Sequence, residues 1–190
     1  MISTVVENRN GYRYTPCFCE ENIWHLANDL VVAGERIDDL NILFFSNPAR
    51  QVIIYQQKMA PPGDAIIWDY HVVLENCSGE EKRVYDFDSR LDFPHAKADY
   101  FEQSFPVPEM LQPAQQMLIR RVSADAYLRH FESDRSHMLG VISRDRFPAY
   151  PCIKSSRKAQ PILLSEYLDM TRTLADGSRV SAYQWPRDSQ

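Results

Sequence analysis

Cys17 and Cys19 are the residues of this sequence with the most immediate chemical potential. A cysteine attacks as its thiolate, and the start of a helix favours that anion, because the first backbone N–H groups lack partners and the macrodipole is positive there. The spacing of Ile23, Leu26, Ala27 and Leu30 predicts a helix over 19–30, closed by Gly34. Cys19 stands at its entrance, whereas Cys17, following Pro16, falls in an extended segment outside it. Cys19 is therefore the candidate nucleophile. Glu20 and Glu21 suit the positive end of a helix but oppose a neighbouring thiolate, so the site needs a cation. A protonated histidine is the natural one.

Residues 65–75 and 82–89 are rich in β-branched and aromatic types and flank Asn76-Cys77-Ser78-Gly79-Glu80-Glu81, which reads as a hairpin. A turn about Ser78-Gly79 pairs Glu75 with Lys82, Val73 with Val84 and Tyr70 with Phe87, matches worth about 0.2–1 kcal/mol each. This register sets His71 opposite Asp86, close enough for the carboxylate to fix the imidazole's tautomer and orientation. Nucleophile, base and orienting acid are then Cys19, His71 and Asp86. A His–Asp pair on a sheet also occurs as a purely structural feature. The same register faces Asp69 with Asp88, two like charges that invite a cation such as a substrate ammonium. Otherwise Asp88 caps the loop at Ser89-Arg90 or pairs with Arg90. Trp68, beside Asp69, is a candidate pocket wall.

The remaining histidines are less suited to catalysis. His25 and His130 fall on helices, His95 in a loop, and His137 has no carboxylate placed beside it, which assigns it a structural or pocket-lining part. A competing reading of the thiols is a metal site built from Cys17 and Cys19 with Cys77, Cys152 or a histidine. Without Cys-x-x-Cys or His-x-x-x-His spacing its ligands are scattered, and zinc is the weaker reading. For an oxyanion, the Cys19 backbone N–H is the first candidate donor, with Gln56 or Gln57 second.

These groups must be held by a framework. Residues 41–46 and 51–56 read as two strands around Asn47-Pro48, and further helices are predicted over 108–116, over 124–131 from a Ser123 cap, and over 165–173. Helices on either side of a β-rich middle predict an α/β (α+β) domain, with a mixed sheet covered on its faces. A length of 190 residues, 44% hydrophobic and 25% charged, suits one domain over 1–190 with flexible ends at 1–13 and 186–190. The net charge of −5 disfavours an electrostatic grip on nucleic acid. The sequence has no long apolar run and no export signal, so a soluble intracellular protein with reduced thiols and no membrane contact is expected.

Longer motifs are specific enough to suggest a family. Cys17-Phe18-Cys19-Glu20-Glu21-Asn22-Ile23-Trp24, then Pro62-Gly63-Asp64 leading to Ile67-Trp68-Asp69-Tyr70-His71-Val72-Val73-Leu74, then Tyr85-Asp86-Phe87-Asp88, closely resemble the protein N-terminal glutamine amidohydrolase family. Phe131-Glu132-Ser133-Asp134-Arg135-Ser136-His137-Met138 and Tyr150-Pro151-Cys152-Ile153 are similar to its later motifs, while the stretch 91–120 matches less closely. The resemblance implies that Cys19 is the nucleophile, His71 the base and Asp86 the residue that orients it. It also implies a monomeric α-β-α layered fold related to papain-like and transglutaminase-like enzymes, with no cofactor. The implied reaction converts the N-terminal glutamine of a protein or peptide into glutamate through a thioester, releasing ammonia. In eukaryotes that product feeds arginylation and N-degron degradation, in the cytoplasm or in cytoplasm and nucleus. Such an enzyme must read the free α-ammonium, and Asp69, Asp88 and Glu20 are the candidate readers. The same triad also serves proteases, transglutaminases and deamidases of internal glutamine, and a non-catalytic module that binds chain termini is the alternative of another class.

Overall fold

In the computed structural model, which describes residues 7–9, 11–105 and 113–184, the chain opens with an antiparallel hairpin of β1 (Glu7–Arg9) and β2 (Tyr12–Tyr14) and then enters α1 (Cys19–Val32). α1 forms where expected because Ile23, Leu26, Ala27 and Leu30 bury one face of it. No side chain caps it from Phe18; instead Asn22 reaches back and bonds both the N–H and the carbonyl of Thr15, each at 2.8 Å. Gly34, at φ 106°, takes the left-handed conformation just past its end. Cys17 departs from the expected extended backbone: its φ of 69° lies in the left-handed region, so the chain bends immediately before α1.

Next come β3 (Leu40–Ser46), β4 (Val52–Ile54), β5 (Ile66–Trp68), β6 (His71–Asn76), β7 (Arg83–Tyr85), β8 (His95–Ala96) and α2 (Lys97–Ser104). They are followed by β9 (Leu118–Ser123), α3 (Ala124–His130), β10 (Phe131–Glu132), β11 (Ile162–Leu163), α4 (Leu164–Tyr167) and β12 (Arg179–Ala182). The main sheet has the order β12-β9-β3-β6-β7-β8, and all its pairings are antiparallel, which corrects the expected mixed sheet. The reason lies in the connections. Between β3 and β6 the chain makes an excursion through a separate ribbon, β4 paired with β5, and returns beside β3 in the opposite direction. The strand expected over 51–56 therefore pairs with residues 66–68 rather than with 41–46. The strand expected over 65–75 is broken at Asp69-Tyr70, between ribbon and main sheet.

Alternation along the central strands gives this mixed α/β fold two apolar cores. Leu40, Ile42, Phe44, Val72 and Leu74 pack against α1, α3 and α4 on one face. Leu43, Phe45, Val73 and Val84 pack on the other face against Tyr100 and Phe101 of α2. Helix α2 escaped the sequence reading although Tyr100, Phe101, Ser104 and Phe105 sit at helical spacing. The helix expected over 108–116 falls largely outside the described residues. Ser123 caps α3 as expected, its Oγ accepting the Ala126 N–H at 3.3 Å, whereas α4 ends at Tyr167, short of the expected 173. Of the ends expected to be flexible, residues 1–6 and 186–190 lie outside the described ones. No helix among the described residues is long and apolar enough to cross a membrane.

Candidate active site

The first residue of α1, Cys19, and the first residue of β6, His71, line one cavity of about 440 Å³. His71 is buried, and its Nε2 lies 2.9 Å from Asp86 Oδ1, leaving Nδ1 for a second partner. The hairpin register differs from the expected one. β6 and β7 align Glu75 with Val84 and Leu74 with Tyr85, a slip of two residues. Because the slip is even, every side chain keeps its face. His71 still meets Asp86, now as a diagonal neighbour just past the end of the ladder. The expected pairing of Tyr70 with Phe87 is lost: Phe87 stacks on Tyr14 and Tyr70 turns to His137.

Asp86 is saturated with donors. Oδ1 also accepts the Asp88 N–H at 2.9 Å, while Oδ2 accepts the Gln57 amide at 3.0 Å and the Tyr100 hydroxyl at 2.9 Å. Burial alone would raise this carboxyl, but the charge and hydrogen bond of His71, with the Gln57 and Asp88 donors, bring it down to about 2. Burial works against the His71 imidazolium, yet the charge and hydrogen bond of Asp86, with the charge of Asp88, hold it above the ordinary histidine range.

Cys19 behaves differently from expectation. Burial pushes its thiol well above the usual range and the charges of Glu20 and Asp88 add to this, against a hydrogen bond from the Val72 N–H to the sulfur. The helix entrance does not prevail over that environment, and the thiol donates to Glu20 Oε2 at 3.7 Å. Glu20 itself is buried and is not among the residues that line the cavity. Burial, with the Glu21 charge adding, pushes it up to about 8, against hydrogen bonds from its backbone and from Tyr70. The Tyr70 hydroxyl donates to Glu20 Oε2 at 2.9 Å and lies 3.1 Å from His137 Nε2, which is 3.4 Å from Glu20 Oε1. His137 thus lines the cavity, as expected, but with a carboxylate beside it that lies too far off in sequence to be foreseen.

The other candidates are placed as follows. Asp88 is buried, lines the cavity, and accepts the Tyr14 hydroxyl at 2.5 Å. It neither caps the following loop nor pairs with Arg90, whose guanidinium donates to the carbonyls of Lys58 and Ala60. Asp69 lines the same cavity from an exposed position, but no ladder sets it opposite Asp88, because the strand breaks there. Trp68 stacks on His71 with ring centroids 6.5 Å apart and planes 12° off parallel. Gln57, a candidate oxyanion donor, is instead committed to Asp86 behind the cavity. Tyr100 was missed because α2 was missed. Cys17 lines the cavity beside Cys19, whereas Cys77 sits near Asn41 and Arg121. The group of possible metal ligands found among the described residues, within 4.8 Å of one another, is His71, Asp86 and Asp88, and it includes no cysteine.

Met138, Val141, Ile142 and Arg146 form the facing wall of the cavity. Its base is pinned by Arg135, whose buried guanidinium makes two 2.8 Å bonds to Glu21 in the first turn of α1. The same group donates to the carbonyls of Pro148 at 3.2 Å and Tyr150 at 3.0 Å.

Comparison with known proteins places the chain in a family. The family model for N-terminal glutamine amidase matches residues 14–186. The protein N-terminal glutamine amidohydrolase of Bos taurus is 36% identical over 151 residues, 77% of this chain and 73% of that protein. The one from Homo sapiens is likewise 36% identical over 151 residues, covering 77% and 74%. That of Danio rerio is 35% identical over 157 residues, covering 80% and 77%. With a thiol at a helix start, a buried His–Asp pair on the adjoining sheet and a match across nearly the whole described chain, this protein belongs to the N-terminal glutamine amidase family.

Proposed function

We propose that the chain hydrolyses the side-chain amide of an N-terminal glutamine to glutamate and ammonia, with Cys19 as nucleophile, His71 as acid and base, and Asp86 as the carboxylate that orients it. The observation that carries this is the shared cavity of Cys19 and His71, with the far nitrogen of His71 already held by an ionised Asp86. The bovine, zebrafish and human relatives bear the name of the same activity. We read the α-β-α layering, with the nucleophile at a helix start and its histidine and acid on antiparallel strands, as papain- and transglutaminase-like.

In the first half-reaction the Cys19 sulfur attacks the carboxamide carbon. Its proton passes to His71 and on to the departing nitrogen, the C–N bond breaks, and ammonia leaves a γ-glutamyl thioester. In the second, neutral His71 takes a proton from water, the resulting hydroxide adds to the thioester carbonyl, and the C–S bond breaks to return Cys19 and release a glutamate-initiated chain. Asp86 keeps the ring in place throughout. The N–H of Cys19, at the start of α1 where a helix leaves its first donors without intrahelical partners, serves the oxyanion.

Asp88 reads the substrate's α-ammonium, with exposed Asp69 as a second carboxylate at the cavity. Burial, with Asp86 adding, raises the Asp88 carboxyl, so an arriving cation relieves it. That cation also cancels one of the charges opposing the Cys19 thiolate, so a free terminus activates the sulfur and an acetylated or internal glutamine does not. Trp68 walls the pocket and covers His71. Glu20, with Tyr70 and His137, controls the thiol's proton. The reaction needs no cofactor and is run by the monomer, and its product suits N-degron processing in cytoplasm or nucleus.

Incubating the chain with a glutamine-initiated peptide should raise the peptide mass by about one unit with release of ammonia, and Cys19→Ala should abolish both. Equal turnover of an N-acetyl-glutamine peptide, or cleavage of the backbone, would overturn the terminal-glutamine reading.

A further inference from the structure

We propose that Arg9, in the β1–β2 hairpin, is a positioning residue for the segment that carries Asp86 and Asp88, a role that rests on Asp86's place in the triad proposed above. Beyond Tyr85 the chain leaves the β6–β7 ladder, so the carbonyls of the next few residues lose their sheet partners just where the orienting acid is needed. Arg9 supplies the missing donors. Its Nη1 donates to the carbonyls of Asp86 at 2.6 Å, Phe87 at 2.9 Å and Ser89 at 2.8 Å, and its Nη2 to that of Leu91 at 2.6 Å.

The planar guanidinium suits this task because it presents five donors in a fixed fork, while a lysine ammonium offers three on a flexible stem. It is held in turn over the Phe93 ring, 4.7 Å from the centroid. The same hairpin grips the segment a second time, through the Tyr14 hydroxyl on Asp88 and the Tyr14 ring stacked on Phe87 at 5.5 Å. Lys58 adds one more donor to the Phe87 carbonyl, at 3.1 Å. Neither carboxylate of the pair bonds Arg9 directly, so the guanidinium sets where the backbone goes and the backbone sets where Asp86 points. Arg9 precedes residue 14, where the family match begins, so this brace is a feature of the chain outside the matched span.

The test compares Arg9→Ala, Arg9→Lys and Asp86→Asn with the parent full-length chain. It measures kcat and KM on a glutamine-initiated peptide across pH, together with thermal unfolding. Arg9→Ala should lower kcat about tenfold or more, as small displacements of catalytic groups do. It should leave KM little changed and move the histidine limb of the kcat profile down toward the ordinary imidazole range. Arg9→Lys should recover part of both. A lowered melting temperature with kcat and the pH limb unchanged would overturn the proposal and leave Arg9 a stabilising residue only. Should Arg9→Ala fail to fold, Arg9→Lys decides by the same two readouts. An Asp86→Asn chain that stays active removes the triad and this role together. An inactive Asp86→Asn beside unaltered Arg9 variants removes this role alone.

Discussion

Tyr100, on the face of the sheet opposite α1, donates its hydroxyl to the Asp86 oxygen that His71 does not use. The carboxylate proposed to orient His71 is thereby held by the sheet and by α2 at once. Tyr100→Phe removes the donor without opening a cavity. It should cost about 1.5–3 kcal/mol of stability, the range for a hydrogen bond to a charged group, and lower kcat less than Asp86→Asn does. Urea unfolding and peptide deamidation measure the two effects.

The His71–Asp86 pair should leave its mark on stability against pH. Asp86 is depressed from 3.8 to about 2, so its share is present above 3.8 and is lost as pH falls toward 2. His71 is raised from 6.5, so its share is full below 6.5 and is lost as pH rises through the raised value. Parent minus Asp86→Asn stability should therefore be largest between these limits, and a flat difference across pH 2–9 in urea midpoints would count against the pairing.

Asp88→Asn should weaken binding of glutamine-initiated peptides, raising KM by about tenfold or more, since the substrate's ammonium loses its buried charge partner. N-acetyl-glutamine peptides, which bring no ammonium, should be no worse for the variant than for the parent. Steady-state kinetics on the two peptides separates the effects.

Glu20→Gln keeps a hydrogen-bond acceptor beside the thiol but cannot ionise. Glu20 titrates at about 8 when folded against an ordinary 4.5, so the parent loses stability as pH climbs between those values. The variant should gain on it by roughly 4 kcal/mol at pH 8 and by nothing at pH 4. Above pH 8 its Cys19 should also be alkylated by iodoacetamide at lower pH than in the parent. No difference in unfolding between pH 4 and pH 8 would refute the buried protonated carboxyl.

Arg135→Met strands the buried Glu21 carboxylate and should cost about 3–5 kcal/mol, whereas Arg135→Met combined with Glu21→Leu should recover much of it. Chemical unfolding of the two variants is the measurement.

Local rules were legible where local physics rules. Ile23, Leu26 and Leu30 fixed α1 and hence Cys19 at its start, and Ser123 fixed the start of α3. The meeting of His71 with Asp86 was legible even through a wrong register, because strand parity tolerates an even slip. The rest was written in tertiary contacts. Gln57, Tyr100 and Tyr14 reach the acid pair from segments with no local tie to it. The raised thiol is hidden in the sequence because its neighbours Glu20 and Asp88 are buried only once Tyr70, His137 and Tyr14 close over them. The antiparallel sheet was hidden by a ribbon excursion that looks, in sequence, like two more strands of the same sheet.

Arg135 draws residues 136–147 into a closed loop that hangs from the turn bearing the nucleophile. Within that loop His137 is tied to Tyr70 and Glu20, while the exposed stretch about Leu139 and Val141 can be shortened, lengthened or rewritten with the anchor points in place. Engineered variants can therefore reshape that side of the cavity, so long as Arg135, Glu21 and His137 are kept.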